Sequence, residues 1–306
     1  MVAGLESIST TMHQLSAIGP FDYHQPESLE SVIELLQEHG PAAALLAGGT
    51  ALLIDMQHGE LAPRHLVSLW GVPGLDRVSL NGELRIGSAA TLTDLVGAIE
   101  GSVALAGLAE ASLTLGSRQI QNVATVAGNI CKASPGADMV PPLLCLDAML
   151  TLTGPLGERI APLDGFLTGP DQTALQPAEV LTEIRLPQIP DRTGTAFQKI
   201  MRRQAVDCSI ISVAARVTLE DDGKTCRQAR IGVAAAAPNP FRAMKAEALL
   251  KGQTLSEDLA REAGRVAQEE SNPIDDVRAS AEYRRLMVEE LTARALVAAA
   301  ERAIRT

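Results

Sequence analysis

Two glycine-bearing segments of the chain contain the residue types best suited to binding an anionic group. The first reads Leu45-Leu-Ala-Gly-Gly-Thr-Ala-Leu52. Gly48 and Gly49 have no Cβ, so backbone N–H groups there can approach a ligand closely, and Thr50 adds a hydroxyl donor. The flanking apolar residues predict a strand, a turn and a short helix whose positive end faces the same ligand. A tight turn that binds nothing is the alternative, since a lone glycine motif is weak evidence.

The second segment reads Thr125-Val-Ala-Gly-Asn-Ile-Cys-Lys-Ala-Ser-Pro-Gly-Ala-Asp-Met139. It places small and polar residues between two apolar stretches, where polar groups without partners are costly. Among them, Asp138 can accept hydrogen bonds from ribose hydroxyls. The alternative is a self-capping loop in which Asp138 is the N-cap of a helix from Met139 to Leu146. This segment alone leaves both interpretations open.

Neither segment matches the common nucleotide-binding fingerprints. The chain has no GxGxxG motif after a first strand and no GxxxxGKS loop. The sequence therefore predicts neither a Rossmann site nor a P-loop site, and a phosphate group would have to be held in another way.

Histidines and cysteines form no recognisable site in the sequence. The five histidines are scattered through the N-terminal quarter, at His13, His24, His39, His58 and His65. We assign them no catalytic or metal-binding role, because a lone histidine usually lies on the surface or in a satisfied core. The four cysteines form no CxxC pair, which argues against a metal or iron-sulfur site built by this chain alone; they are Cys131, Cys145, Cys208 and Cys226.

Composition indicates an ordinary globular protein. The 306 residues are 46% hydrophobic, and a formal net charge of -11 gives no basic field for nucleic acid. No stretch approaches the roughly 18 apolar residues of a membrane span, and residues 1–19 lack the features of a secretory signal. Few, scattered cysteines fit a reducing compartment, so we expect a cytoplasmic protein without membrane insertion.

Local signals place the elements that position the two glycine segments. Ser28 is a plausible N-cap of a helix that stops at Gly40, and Asn81-Gly82 between alternating apolar residues predicts a hairpin. Thr91 is a plausible N-cap of a helix through Ile99. The remaining elements are predicted strands at Val180–Leu186, Ile210–Leu219 and Ala229–Ala237, followed by helices at about Met244–Leu250, Glu257–Glu270 and Ser280–Ile304. This order predicts an α+β protein.

The two segments resemble a known family. Ala47-Gly-Gly-Thr50, Thr125-Val-Ala-Gly-Asn129 and Ser134-Pro-Gly-Ala-Asp138 are similar to the FAD-binding signatures of the medium subunits of carbon monoxide dehydrogenase and quinoline oxidoreductase, and of the flavin domain of xanthine dehydrogenase. Similar segments continue in order over roughly residues 20 to 300: Arg85–Asp94, Gln119–Thr125, Leu175–Leu181, Phe197–Arg202 and Asp275–Arg284. A colinear set of this kind is more specific than either loop.

The resemblance implies a PCMH-type FAD-binding fold of two α/β subdomains followed by a C-terminal α/β domain. We expect an N-terminal extension at 1–19, FAD-binding subdomains at 20–75 and 76–190, and the C-terminal domain at 191–306.

It also implies a set of FAD-binding residues. Those that would cradle the pyrophosphate are Leu45, Leu46, Ala47, Gly48, Gly49, Thr50, Ala51 and Leu52. Those that would close over it from the second subdomain are Thr125, Val126, Ala127, Gly128 and Asn129, with Ser134 in the same loop. Asp138 would bind the adenosine ribose. Leu115, Leu181 and Lys199 match positions near the flavin, and their alternatives are core leucines and a solvated lysine.

One departure from the family bears on this site. The family usually has two glycines in the second loop, and Ala127 replaces the first of them. Its methyl group restricts φ and narrows the backbone approach, which predicts an altered pyrophosphate contact.

The implied function is electron transfer. FAD on this chain would receive electrons from [2Fe-2S] clusters of a small partner subunit and pass them to an external acceptor. A large partner subunit would carry the molybdopterin cofactor, in a dimer of heterotrimers. One alternative is a self-contained flavin oxidase or reductase, which would need a catalytic acid or base that is not evident here. The other is a scaffold that has lost FAD, suggested only by Ala127.

Overall fold

The computed structural model describes residues 18–204 and 206–306, so almost all of the predicted extension at 1–19 lies outside the described residues. The described residues form helices and three main sheets, each sheet is built from a separate stretch of the chain, and two of the three are antiparallel. This arrangement confirms the predicted α+β class. None of the described helices is both long and apolar enough to cross a membrane.

The first sheet is parallel, with strand order β1-β3-β2. Its elements are β1 (Asp22–His24), α1 (Leu29–His39), β2 (Ala43–Leu46), α2 (Leu52–His58) and β3 (His65–Ser68). The hydroxyl of Ser28 accepts a hydrogen bond from the N–H of Ser31, and Gly40 ends α1 with a positive φ, as predicted. The predicted strand, glycine turn and helix around Gly48 are also confirmed, because β2 and α2 flank that turn.

The second sheet is antiparallel, with strand order β4-β5-β10-β6-β7. Its stretch of chain contains β4 (Val78–Asn81), β5 (Glu83–Gly87), α3 (Leu92–Ala98), α4 (Ala106–Thr114), α5 (Arg118–Gln121), α6 (Val126–Cys131), α7 (Val140–Cys145), β6 (Met149–Gly154), β7 (Gly157–Pro162), β8 (Leu167–Gly169), β9 (Gln172–Thr173) and β10 (Val180–Leu186). The predicted hairpin is confirmed, and Gly82 supplies its positive φ. Thr91 caps α3 in a reciprocal pair with Asp94, as the sequence indicated.

The third sheet is antiparallel and follows chain order, with β11 (Thr193–Ile200), β12 (Ile211–Leu219), β13 (Cys226–Ala234) and β14 (Phe241–Arg242). Its helices are α8 (Met244–Leu250), α9 (Glu257–Glu270) and α10 (Ala281–Ala303). β13 ends earlier than the predicted Ala237, because Ala235 adopts a positive φ. α10 lies directly on this sheet at Gly194, where an added Cβ would come 2.1 Å from the Ala299 carbonyl oxygen.

The third sheet packs tightly against helices of the second stretch. An added Cβ at Gly232, on β13, would come 2.4 Å from the carbonyl oxygen of Pro141, on α7. Glu110, on α4, accepts a 2.8 Å hydrogen bond from the N–H of Phe197 and also pairs with Arg302 of α10. These contacts fix the second glycine segment, which lies between α4 and α7, against the third sheet.

Candidate functional site

Two adjoining cavities lie between the first sheet's part of the chain and the second. The larger has a volume of about 750 Å³ and the smaller about 280 Å³. They share Leu45, Ala47, Gly128 and Cys131 as lining residues. The larger volume lies within the range of about 300–1,000 Å³ that is usual for ligand and cofactor pockets.

The two glycine segments meet at the smaller cavity. Of the predicted site residues, it is lined by Leu45, Ala47, Gly48, Gly49, Thr50, Ala51, Leu52, Leu115, Thr125, Gly128 and Asn129. The larger cavity is lined by Leu45, Ala47, Ala127, Gly128 and Leu181. The remaining predicted residues line neither cavity: Leu46, Val126, Ser134, Asp138 and Lys199. The structure thus brings together most of two sets that are about 75 residues apart in sequence.

Gly48 is the closest point of approach between the segments. A Cβ built on Gly48 would lie 2.0 Å from the carbonyl oxygen of Val123, well inside contact distance. Gly49 has φ 70, a conformation that favours glycine. The pair is therefore required for two separate reasons, one a backbone contact and the other a backbone angle.

Backbone N–H groups of both segments remain available for a ligand. The hydroxyl of Thr125 accepts a hydrogen bond from the N–H of Gly128 and caps α6. Within residues 18–204 and 206–306, no hydrogen bond is made by the N–H groups of Gly48, Gly49, Thr50 or Ala127. Because a backbone donor normally has a partner, this group of free donors is suited to an anion.

Ala127 itself lies in α6 and is almost fully buried. It belongs to the hydrophobic core beneath the second sheet while also lining the larger cavity. The residue is thus a packing element as well as a wall of the site, and its predicted effect on a pyrophosphate contact stays a prediction.

The larger cavity is mainly apolar, with Leu36, Pro41 and Leu175 among its lining residues. Glu179 is its acidic lining residue, and Arg159 binds it through two hydrogen bonds of 2.6 and 2.7 Å. These hydrogen bonds hold the pKa of Glu179 below its ordinary value against the opposite effect of burial. The carboxylate is occupied by Arg159 and by the N–H of Gln176, so the mainly apolar lining is suited to an uncharged group.

Lys132, which no sequence motif singled out, links the two sides of the smaller cavity. Its Nζ lies 2.8 Å from the carboxylate of Asp55 on α2 and 3.1 Å from that of Asp171. Burial alone would lower the pKa of Lys132, but its hydrogen bonds to both carboxylates raise it above the ordinary value. Lys132 lies within the second glycine segment. A positively charged residue in a segment predicted to bind an anion was the sequence signal that could have identified it.

Trp70 was also missed. Its indole N–H donates a 2.6 Å hydrogen bond to the carbonyl oxygen of Ala47, the residue before the glycine pair. Trp70 lies two residues after the end of β3, so its indole holds the residue that follows β2 from the neighbouring strand. A tryptophan two residues after a strand carries no sequence signal for such a contact.

Asp138 and Lys199 form a buried ion pair. Their side chains are 8% and 3% exposed, and the Nζ–Oδ2 distance is 2.7 Å. Ser209 donates a hydrogen bond to the other carboxylate oxygen. The alternative that Asp138 caps a helix is wrong, because α7 has Met139 at its N-cap position and no side-chain cap. Lys199 is buried rather than solvated, and the predicted ribose and flavin roles of these residues stay predictions.

Comparisons with known proteins agree with this geometry. The family model described as "FAD binding domain in molybdopterin dehydrogenase" matches residues 19–189, and "CO dehydrogenase flavoprotein C-terminal domain" matches residues 196–299. The xanthine dehydrogenase FAD-binding subunit of Escherichia coli O157:H7 is 35% identical over 276 residues, which are 88% of this chain and 92% of that protein. The carbon monoxide dehydrogenase medium chain of Afipia carboxidovorans is 34% identical over 93% of this chain and 98% of its own.

Solved structures give the same result. A chain of carbon monoxide dehydrogenase from Hydrogenophaga pseudoflava superimposes with a TM-score of 0.88 at 32% identity, covering 94% of this chain and 99% of that one. A chain of quinoline 2-oxidoreductase from Pseudomonas putida 86 gives a TM-score of 0.86 at 26% identity, covering 94% and 100%.

Fold and site together define an FAD-binding oxidoreductase component. The chain belongs to the family of FAD-binding medium subunits of molybdopterin dehydrogenases. The predicted family, fold class and FAD-binding character are therefore confirmed.

Proposed function

We propose that this chain is the electron-transfer subunit of a molybdopterin-dependent hydroxylase. In this proposal the chain binds FAD, and the FAD accepts electrons from the [2Fe-2S] clusters of a small partner subunit and passes them to an external electron acceptor. The observation that carries the proposal is the meeting of two glycine segments, with free backbone donors, at one cavity of a chain from this family.

The residues of the smaller cavity fit a diphosphate. Gly48, Gly49 and Thr50 offer N–H groups from the first segment. The N–H of Ala127, in the second segment, is a further free donor at the adjoining larger cavity. The close approach at Gly48 requires the absence of a Cβ, as expected where backbone rather than side chains forms the cradle. Lys132 lines the same cavity, but Asp55 and Asp171 already neutralise its charge, so the anion would be held mainly by backbone N–H groups. The larger, apolar cavity adjoins it and would take one of the two ring systems of FAD.

The chain's own residues would bind and orient the cofactor. FAD supplies the redox chemistry, since it exchanges electrons singly or in pairs. Substrate oxidation would take place on a large partner subunit with the molybdopterin cofactor, in a dimer of heterotrimers. Two relatives support this assignment of roles to separate subunits, because one is the FAD-binding subunit of a xanthine dehydrogenase and the other is the medium chain of a carbon monoxide dehydrogenase.

We also propose that residues 20–75, 76–190 and 191–306 are the three domains of the chain. The two family models adjoin between residues 189 and 196, which supports the last boundary. The change from a parallel to an antiparallel sheet between β3 and β4 supports the boundary between residues 75 and 76.

Reconstitution tests the proposal directly. The purified chain is incubated with FAD, passed through a desalting column and measured for flavin absorbance, with the released cofactor identified by mass spectrometry. We expect one FAD per chain. A colourless chain would favour the empty scaffold and contradict the proposal.

Electron transfer is tested with partners. The FAD-loaded chain is mixed in a stopped-flow instrument with the reduced small [2Fe-2S] subunit, and bleaching of the flavin is followed. We expect bleaching by that partner and no oxidation of organic substrates by the chain alone. Substrate turnover without partners would favour the self-contained oxidase, and no bleaching would contradict the proposed electron path.

A further inference from the structure

Three histidines that are far apart in sequence meet at one end of the first sheet. His24 is the last residue of β1, His39 the last of α1 and His65 the first of β3. One imidazole nitrogen from each histidine lies within 4.8 Å of one from each of the other two. All three residues are partly buried, so the cluster lies at the edge of the first sheet's core.

The parallel pairing of β1 with β3 creates this cluster. Asp22 is paired with His65 in the register, and His24 follows Asp22 by two residues. Because side chains alternate along a strand, Asp22, His24 and His65 point to the same face of the sheet. The C-terminal end of α1 brings His39 to that face, where its ring stacks on His65 at a centroid distance of 3.7 Å.

One nitrogen–nitrogen distance in the cluster is already close to that between two zinc ligands. His24 Nε2 and His65 Nδ1 are 3.1 Å apart, and Asp22 Oδ2 lies 3.6 Å from the same His65 nitrogen. Two ligands at a zinc–nitrogen distance of 2.0–2.1 Å in tetrahedral geometry are about 3.3 Å apart. Imidazole is a preferred ligand of zinc and other late first-row divalent ions.

We propose that His24, His39 and His65 bind a divalent transition-metal ion of the zinc class. Asp22 or a water molecule would complete four-fold coordination. Binding requires the stacked rings of His39 and His65 to fan apart around the ion, and since these residues are only partly buried, the movement takes place at the edge of the core. The ion would clip the ends of β1 and α1 to the start of β3.

This site is separate from the proposed cofactor cleft. None of the three histidines lines either cavity of the cleft. Gly40 and Pro41, which line the larger cavity, follow His39 directly in the chain. The metal would therefore stabilise the turn that forms one wall of the cleft, without contacting the cofactor.

Calorimetry on the untagged full chain tests the proposal. The chain is made metal-free with a chelator, and Cys208→Ser removes the exposed thiol that would otherwise compete for zinc. We expect one zinc ion per chain. His39→Ala should weaken binding by more than about 100-fold, because loss of a hydrogen-bonding partner behind a metal ligand already costs about 10–100-fold.

His58→Ala is the matched control, since His58 lies in the same part of the chain and outside the cluster. It should bind zinc as tightly as the parent. The visible spectrum of the cobalt-loaded chain gives a second readout, with strong absorption expected for four-fold coordination and its loss in His24→Ala. Far-UV circular dichroism checks that each variant is folded. Absence of stoichiometric zinc binding by the parent, or equal weakening by His58→Ala, would overturn the proposal.

Discussion

The backbone at Gly48 is in direct contact with the backbone at Val123. An added Cβ would lie 2.0 Å from the Val123 carbonyl oxygen and 2.9 Å from the Cα of Ala124. This contact joins the turn after β2 to the residues just before α6. The two glycine segments can lie this close together only because Gly48 has no Cβ.

We predict that Gly48→Ala weakens FAD binding. The added methyl forces the segments apart, and overpacking of this kind typically costs about 1–3 kcal/mol, or about 5–150-fold in the dissociation constant. Titration of the cofactor-free chain with FAD, followed by flavin fluorescence, measures the change. Gly97→Ala is the matched control, because nothing lies within 4 Å of its added Cβ and alanine favours the helix α3. Equal affinity in the two variants would contradict the prediction.

We predict that Lys132→Met destabilises the chain by about 1–3 kcal/mol, because the mostly buried carboxylate of Asp55 loses its ion-pair partner. Urea unfolding of the cofactor-free chain measures this loss, with the exposed Lys251→Met as control. The raised pKa of Lys132 sets the pH dependence: the contribution is complete below about pH 10, near the ordinary lysine pKa, and disappears as pH rises through the higher folded value. A difference between parent and variant that grew above pH 10 would be inconsistent with this pair.

We predict a larger loss of about 3–5 kcal/mol for Lys199→Met, because the buried carboxylate of Asp138 is left without its cation. The double variant Asp138→Asn with Lys199→Met should recover part of the loss, since it leaves no unpaired charge. Chemical unfolding of the parent, both single variants and the double variant measures the coupling. Strictly additive losses would show that the two side chains do not stabilise each other.

We predict that iodoacetamide labels Cys208 quickly and Cys131 slowly in the native chain. Cys208 is exposed, whereas burial raises the pKa of the Cys131 thiol to about 12. Very little of the Cys131 thiol is then ionised at pH 8, and the thiolate is the reactive form. Cys131 lines both cavities, so bound FAD should slow its labelling further. Mass spectrometry of labelled peptides measures both rates, and comparable rates would refute the burial of this thiol.

Features set by neighbouring residues were predictable from the sequence. The caps at Ser28 and Thr91 and the hairpin turn at Gly82 depend on contacts within a few positions, so their sequence signals were sufficient. That the two glycine segments lie together could be predicted only from the family resemblance, because no local sequence pattern connects Gly48 with Thr125.

Long-range pairs could not be predicted. Asp138 had a local alternative as a helix cap, but Lys199 and Ser209 bind its carboxylate from 61 and 71 residues away. His24, His39 and His65 each look isolated in sequence and meet only through the register of β1 with β3. In both cases, tertiary packing determines which residues are partners, and no periodic or local sequence pattern indicates them.

The hydrogen bond from Trp70 to Ala47 has a practical consequence. Trp70 is the chain's one tryptophan, and its indole touches the residue that precedes the glycine pair. Intrinsic emission from the unlabelled protein therefore comes mainly from a single reporter beside the cleft. Because flavins absorb in the region where indole emits, quenching of this native signal offers an optical assay for cofactor occupancy without a dye or an engineered probe.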